Sequence, residues 1–212
     1  IKMNTKILLV IIMAAVLIGG YALVNNETGR QEDTPFQTTQ QESMDSLEVQ
    51  SSKACSGKET PSLTEGPYYK AGSPLRTNLR EDDTVGTPLT VTGYVFDVNC
   101  KPIPNSWLDF WQADGNGNYD NSGFKLRGHQ FTNANGKYIL ETVVPARYSG
   151  RTAHIHVKVR ASPNSPVLTS QLFFPKESQN QTDSIFDSSL VMELKDGEEG
   201  KTATFNFVLN VR

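Results

Sequence analysis

Cysteine and histidine are scarce here: two of the former and three of the latter in 212 residues. The cysteines, Cys55 and Cys100, stand too far apart to make a metal-binding knuckle by themselves. No charge sign dominates, since 20 Lys and Arg face 23 Asp and Glu for a formal net charge of -3. A nucleic-acid binder would show a basic stripe, so that class of partner is not expected. A sustained amphipathic helical period is missing, and so is any internal repeat. The hydrophobic fraction is 37%, much of it at the N-terminus. What remains supports a modest core plus some sequence too polar to fold.

The apolar residues that are present begin with an uncharged run at 7–24, preceded by Lys2 and Lys6 and followed by Asn25, Asn26 and Glu27. Residues 1–24 therefore read as a signal peptide or a membrane anchor, at the lower length limit for a transmembrane helix. No small-residue cleavage site stands out, so a retained anchor is the expectation. The positive-inside tendency then places everything downstream outside the cytoplasm, with the membrane touched through this segment only. Residues 25–54 are rich in Gln, Ser, Thr, Asp and Glu. Such a stretch buries too little surface to offset its ordering entropy and reads as a disordered polar tether. Outside the cytoplasm, an even cysteine count favours a disulfide over two buried thiols. A Cys55–Cys100 bridge would be worth about 4 kcal/mol in the chain-entropy model.

From residue 55 onward the texture changes. Short alternating runs at 89–96, 106–112, 137–144, 153–160, 167–174 and 202–211 are separated by Gly, Pro and Asn turn signals. The pattern predicts one all-β domain over residues 55–212, an antiparallel β-sandwich of immunoglobulin-like or Greek-key type.

The segment His154-Ile155-His156 carries the sharpest chemical signal. Side chains alternate along a strand, so the two imidazoles share one face and can converge on one metal. Ile155, Val157 and Val159 point the opposite way, toward a core. Just upstream lie Tyr148 and Arg151, and further upstream Trp111-Gln-Ala-Asp114 runs into a Gly/Asn loop bearing Tyr119. On local pattern alone, Tyr119 reads as a surface turn residue and Tyr148 as a packing residue rather than as ligands. The spacing of Asp114, Asn116, Asn118 and Asp120 mimics the start of an EF-hand, but no closing Glu follows. His129 matches no ligand position and reads as structural.

In their order, these segments resemble the intradiol ring-cleavage dioxygenases. The tyrosine after a W-Q-A-D strand end, the second tyrosine after a Thr-x-x-Pro turn, and the arginine three residues before H-I-H are all present. Thr64-Glu-Gly-Pro-Tyr-Tyr69, Leu126-Arg-Gly128 and Ser170-Gln-Leu-Phe-Phe-Pro175 are similar to family segments too, and the cysteines look like those of secreted members. The resemblance spans residues 55–211. It implies a non-haem Fe(III) ion held by Tyr119 and His154 as equatorial ligands and Tyr148 and His156 as axial ones. It further implies Arg151 and Gln171 near the substrate, with Glu65, Tyr68 and Tyr69 approaching the mouth of the site. The implied substrates are a small aromatic diol and O2. The implied reaction cleaves the ring between its two hydroxylated carbons to a muconate-type diacid. Hard phenolate oxygens suit a hard ferric ion. One departure is Ala146, where relatives place Gly after the proline; a φ above zero there would strain alanine. Two other readings remain open: an extracytoplasmic binding module, and a zinc or copper site on the two histidines. Ring substituents and oligomeric state are not legible.

Overall fold

A computed structural model describes residues 55–211. The predicted anchor and tether, residues 1–54, lie outside the described residues. Among the described residues, no helix is long and apolar enough to cross a membrane. Nine strands follow in chain order: β1 Pro88–Asp97, β2 Trp107–Trp111, β3 Arg127–Phe131, β4 Lys137–Val143, β5 His154–Arg160, β6 Leu168–Phe173, β7 Glu193–Gly197, β8 Gly200–Thr204 and β9 Phe207–Leu209. Two short 3-10 turns, Ser178–Gln181 and Ser188–Leu190, lie between β6 and β7.

The strands form two sheets. One has the order β4-β1-β8-β7, with β9 also paired to β1; the other is β3-β2-β5-β6. The second sheet is antiparallel throughout. The first is mixed: β4 and β7 pair antiparallel to their neighbours, whereas β8 and β9 both run parallel to β1. The expected antiparallel pairing therefore holds for five strand pairs and gives way at these two. A parallel partner needs a long crossover, and the chain supplies one by passing through the whole second sheet between β1 and β8.

The sheets share one apolar core. Val91 and Val95 of β1, Leu140 of β4, Ala203 of β8 and Phe207 of β9 meet Leu108 and Phe110 of β2 and Ile155, Val157 and Val159 of β5. The inward residues of β1 and β5 are those that alternation predicts.

Three elements escaped the sequence reading. β3 buries Arg127 and Gln130 where an apolar pattern was sought, and β7 is a largely exposed edge of sequence ELKDG. The run 202–211 is broken in two at Phe205-Asn206. That break crosses Gly93 of β1 so closely that a Cβ there would stand 1.7 Å from the Phe205 carbonyl oxygen. Asn206 accepts the Tyr94 amide at 2.9 Å, and Tyr138 donates its hydroxyl to the Phe205 carbonyl at 2.9 Å, filling the interrupted ladder.

The sulfurs of Cys55 and Cys100 lie at bonding distance, with Cα atoms 5.6 Å apart across a sequence separation of 45. The pair ties the start of the folded part to the turn after β1. Replacing both cysteines by serine should lower unfolding stability by about 2–5 kcal/mol in equilibrium denaturation of the full chain.

Candidate metal centre

β5 presents His154 and His156 on the face opposite its core residues, and both are buried. His154 donates Nδ1–H to the Thr152 carbonyl at 2.6 Å, which leaves its Nε2 lone pair free. That Nε2 faces Nε2 of His156 at 3.0 Å. Burial pushes the His154 ring down to about 4, against the opposing pull of the Thr152 carbonyl. His156 is driven well below the ordinary histidine value by burial first, then by His154, Arg151 and Arg127. Both rings are therefore neutral near pH 7. The Nδ1 of His156 is buried with no hydrogen bond. Its ring is held by stacking instead: Trp111, at the end of β2, lies parallel to it with centroids 4.8 Å apart.

Two loops bring phenols to these rings. Tyr119 sits in the loop after β2, its ring 6.3 Å from that of His156. Tyr148 lies in the turn before β5, 5.6 Å from Tyr119 and edge-on to it. Tyr68, from the segment preceding β1, stacks on Tyr119 at 4.4 Å, meets Tyr148 edge-on, and joins its hydroxyl to that of Tyr148. Burial raises the Tyr119 hydroxyl, although Arg151 and Arg127 pull it down. The phenol of Tyr68 is raised as well, first by its bond to Tyr148. Only a nearby cation would convert such a phenol to phenolate at neutral pH.

The loops are fixed by their own polar atoms. Asp114 accepts the amides of Asn116 and Asn118, and Asp120 accepts those of Ser122, Gly123 and Lys125. These backbone bonds hold the Asp120 carboxyl far below the usual carboxylate range. The EF-hand-like spacing thus serves loop closure. Arg127 donates to the carbonyl of Asp120 and to that of Tyr68, pinning both tyrosine-bearing segments from β3. The Ala146 amide bonds to the Asp114 carbonyl at 2.9 Å, joining the two phenol loops. Ala146 is not in the left-handed region; that conformation falls on Ser149 and Gly150, so the alanine is unstrained.

Arg151 donates Nε–H to Asp183 Oδ2 at 2.8 Å and an Nη2–H to Gln171 Oε1 at 2.6 Å. Gln171, opposite His156 on β6, donates in turn to the Thr64 carbonyl at 2.9 Å. All six residues singled out in the sequence, Tyr119, Tyr148, Arg151, His154, His156 and Gln171, thus stand in one neighbourhood. Of the others, Tyr68 reaches the site itself, whereas Tyr69 packs on Trp111 and bonds Asp109, and Glu65 pairs with Lys158. Burial and Asp109 push the Tyr69 hydroxyl up to about 12. His129 bonds the Ser73 carbonyl through Nδ1 at 2.7 Å, a structural role as expected. Trp111 stacking, the Arg127 pin and Asp183 were missed as site residues; each acts across a long sequence gap that no local spacing marks.

The donor set fits a cation. Two nitrogens bound at right angles to one ion, each about 2.1 Å away, would stand about 3.0 Å apart, which is the separation of the two Nε2 atoms. Among the described residues no cluster of three or more His, Cys, Asp or Glu exists. The phenols of Tyr119 and Tyr148 are the oxygen donors of anionic type beside these histidines.

Comparison with known proteins identifies the family. The dioxygenase family model matches residues 64–211. The chain belongs to the intradiol ring-cleavage dioxygenase family. Among curated relatives, a chlorocatechol 1,2-dioxygenase of Rhodococcus opacus is 28% identical, covering 72% of this chain and 73% of its own. Catechol 1,2-dioxygenase 2 of Acinetobacter lwoffii is 36% identical over 59% of this chain and 56% of its own. The chain thus spans about three quarters of the first relative and little more than half of the second. Among solved structures, the dioxygenase domain of a dioxygenase–carbohydrate-binding protein fusion from Streptomyces sp. SirexAA-E is 54% identical. It has a TM-score of 0.71 and covers 73% of this chain and 100% of that one. The intradiol enzyme of Tetranychus urticae is 26% identical, with a TM-score of 0.66 over 72% of this chain and 94% of its own.

Gly117 is the seam of this centre in an intradiol dioxygenase of this kind. Its φ is +85°, and a Cβ there would stand 2.6 Å from the Arg147 carbonyl oxygen. Gly117→Ala should therefore separate the Tyr119 loop from the Tyr148 turn and cost about 1–3 kcal/mol. Thermal unfolding of the variant beside wild type checks this.

Proposed function

We propose that this chain is a non-haem Fe(III)-dependent dioxygenase that cleaves catechol-type rings between their two hydroxylated carbons to muconate-type diacids. The observation that carries the reading is the pair of neutral imidazole Nε2 atoms 3.0 Å apart, ringed by the phenols of Tyr119 and Tyr148. Relatives named as catechol and chlorocatechol 1,2-dioxygenases support the substrate class. Tyr119, Tyr148, His154 and His156 would hold the ion. When bound, a ferric ion supplies Lewis acidity that draws electron density from a chelated diol.

The chain's own residues do the rest. As the phenolate that a bound cation would maintain, Tyr148 Oη, beside Tyr68 Oη, would accept a proton from one substrate hydroxyl. The Arg151 guanidinium acts on the same site strongly enough to bias Tyr119, His154 and His156. It stabilises negative charge developing on the ring. Gln171 fixes one edge of that guanidinium. The stacked rings of Tyr68 and Tyr119 give a flat ring a surface to lie against. We place the folded part outside the cytoplasm, and the Cys55–Cys100 pair supports that.

The full chain loaded with ferric iron should show a visible phenolate-to-iron absorption band that shifts on anaerobic addition of catechol. Tyr119→Phe should weaken or abolish the band. Colourless protein that holds zinc equally well with or without Tyr119 would overturn the reading.

A further inference from the structure

The segment 179–183, in and after the first 3-10 turn, touches the turn 148–152 at four points. Gln179 donates its side-chain amide to the Gly150 carbonyl at 3.0 Å. Asn180 accepts the Thr152 hydroxyl at 2.6 Å while donating to the Phe174 carbonyl at 2.9 Å. Asp183 Oδ2 accepts both Arg151 Nε–H at 2.8 Å and the Thr152 amide at 2.9 Å, and its Oδ1 accepts the Ile185 amide at 2.9 Å. The Thr152 carbonyl is in turn the acceptor that sets the tautomer of His154. Thr152 is completely buried and Asp183 is 9% exposed. Every polar atom of Thr152 is thereby committed, and Asp183 holds the node from which Arg151 projects on one side and His154 on the other.

We propose that Asp183 is a positioning residue: it sets the plane of the Arg151 guanidinium. This rests on the dioxygenase reading above. The chemistry requires a carboxylate. Two oxygens accept three N–H donors, and all three approach from protein groups that have no alternative donor direction. An asparagine offers one oxygen and one NH2. Whichever way it is turned, an N–H donor meets an N–H donor. With Gln171 Oε1 as its second fixed acceptor, the guanidinium lies along one defined plane, and its remaining N–H groups are left for substrate.

The test uses the full chain loaded with ferric iron and compares wild type, Asp183→Asn, Arg151→Lys and the double variant. Asp183→Asn should lower kcat/KM for catechol by about 10–100-fold, the usual scale for a group that orients a ligand or catalytic side chain. It should keep the resting visible band. The double variant should lose no more activity than Arg151→Lys alone, because Asp183 acts through that arginine. Losses that multiply, or wild-type turnover in Asp183→Asn, would overturn the proposal. Asp183→Ala, which removes the carboxylate without adding a donor, should show the same loss if the asparagine variant does not fold. A metal-free measurement separates this proposal from the functional reading. The Arg151 Nε–H signal in a 15N-resolved spectrum, identified by its disappearance in Arg151→Lys, should exchange slowly in wild type and quickly in Asp183→Asn. Fast exchange in both would sink the positioning role. Slow wild-type exchange in a chain that takes up no ferric iron would sink the dioxygenase reading and leave the contact standing.

Discussion

Ile155, Val157 and Val159 have no exposed surface at all, and their burial against the opposite sheet fixes the register of β5. A slip of one residue would turn all three outward and the two histidines inward. Each such side chain is worth about 1.5–3 kcal/mol when fully buried, so the hydrophobic core, not any bond made by the histidines, determines where the imidazoles point. The partners of β5 extend the same logic. Trp111 on β2 and Gln171 on β6 both stand opposite His156 in the ladder, so the sheet delivers a stacking face and an amide to one ring with no loop involved.

Against that rigid sheet the phenols come from loops, and the loops are tied by groups that read poorly in sequence. The two histidines stood out through an alternating run, whereas Tyr119 and Tyr148 were singled out only by the family resemblance of the strand end and proline turn beside them. Asp183 could not be singled out. It lies 32 residues from Arg151 and is brought to it only by the fold. β3 was missed because it buries Arg127 and Gln130, whose polar side chains break the apolar alternation that marks a strand; Arg127 is satisfied by loop carbonyls and Gln130 accepts the Ile139 amide. β7 was missed for the opposite reason: it buries almost nothing, and its charged exposed edge resembles a loop. The division of one apolar run into β8 and β9 depends on a close approach to Gly93 from more than a hundred residues away, which no window along the sequence contains.

The departure at Ala146 shows how a local rule can mislead. Entry into the left-handed region favours glycine, and in this turn that conformation falls on Ser149 and Gly150, not on Ala146. Ala146 instead spends its amide on Asp114, and Gly117 supplies the close fit on the facing loop. The two phenol loops therefore brace one another, and the bracing is distributed over residues none of which carries chemistry.

Arg127 gives that bracing a thermodynamic meaning. Its guanidinium is buried, cannot deprotonate near neutral pH, and holds the carbonyls of both Asp120 and Tyr68. The entropy of arranging these donors is thus lost once, when the chain folds, and not again each time an ion enters. A metal centre of the proposed kind would be preorganised: metal uptake and protein folding would be separable events, and the chain without its ion would keep its architecture instead of melting around an empty site.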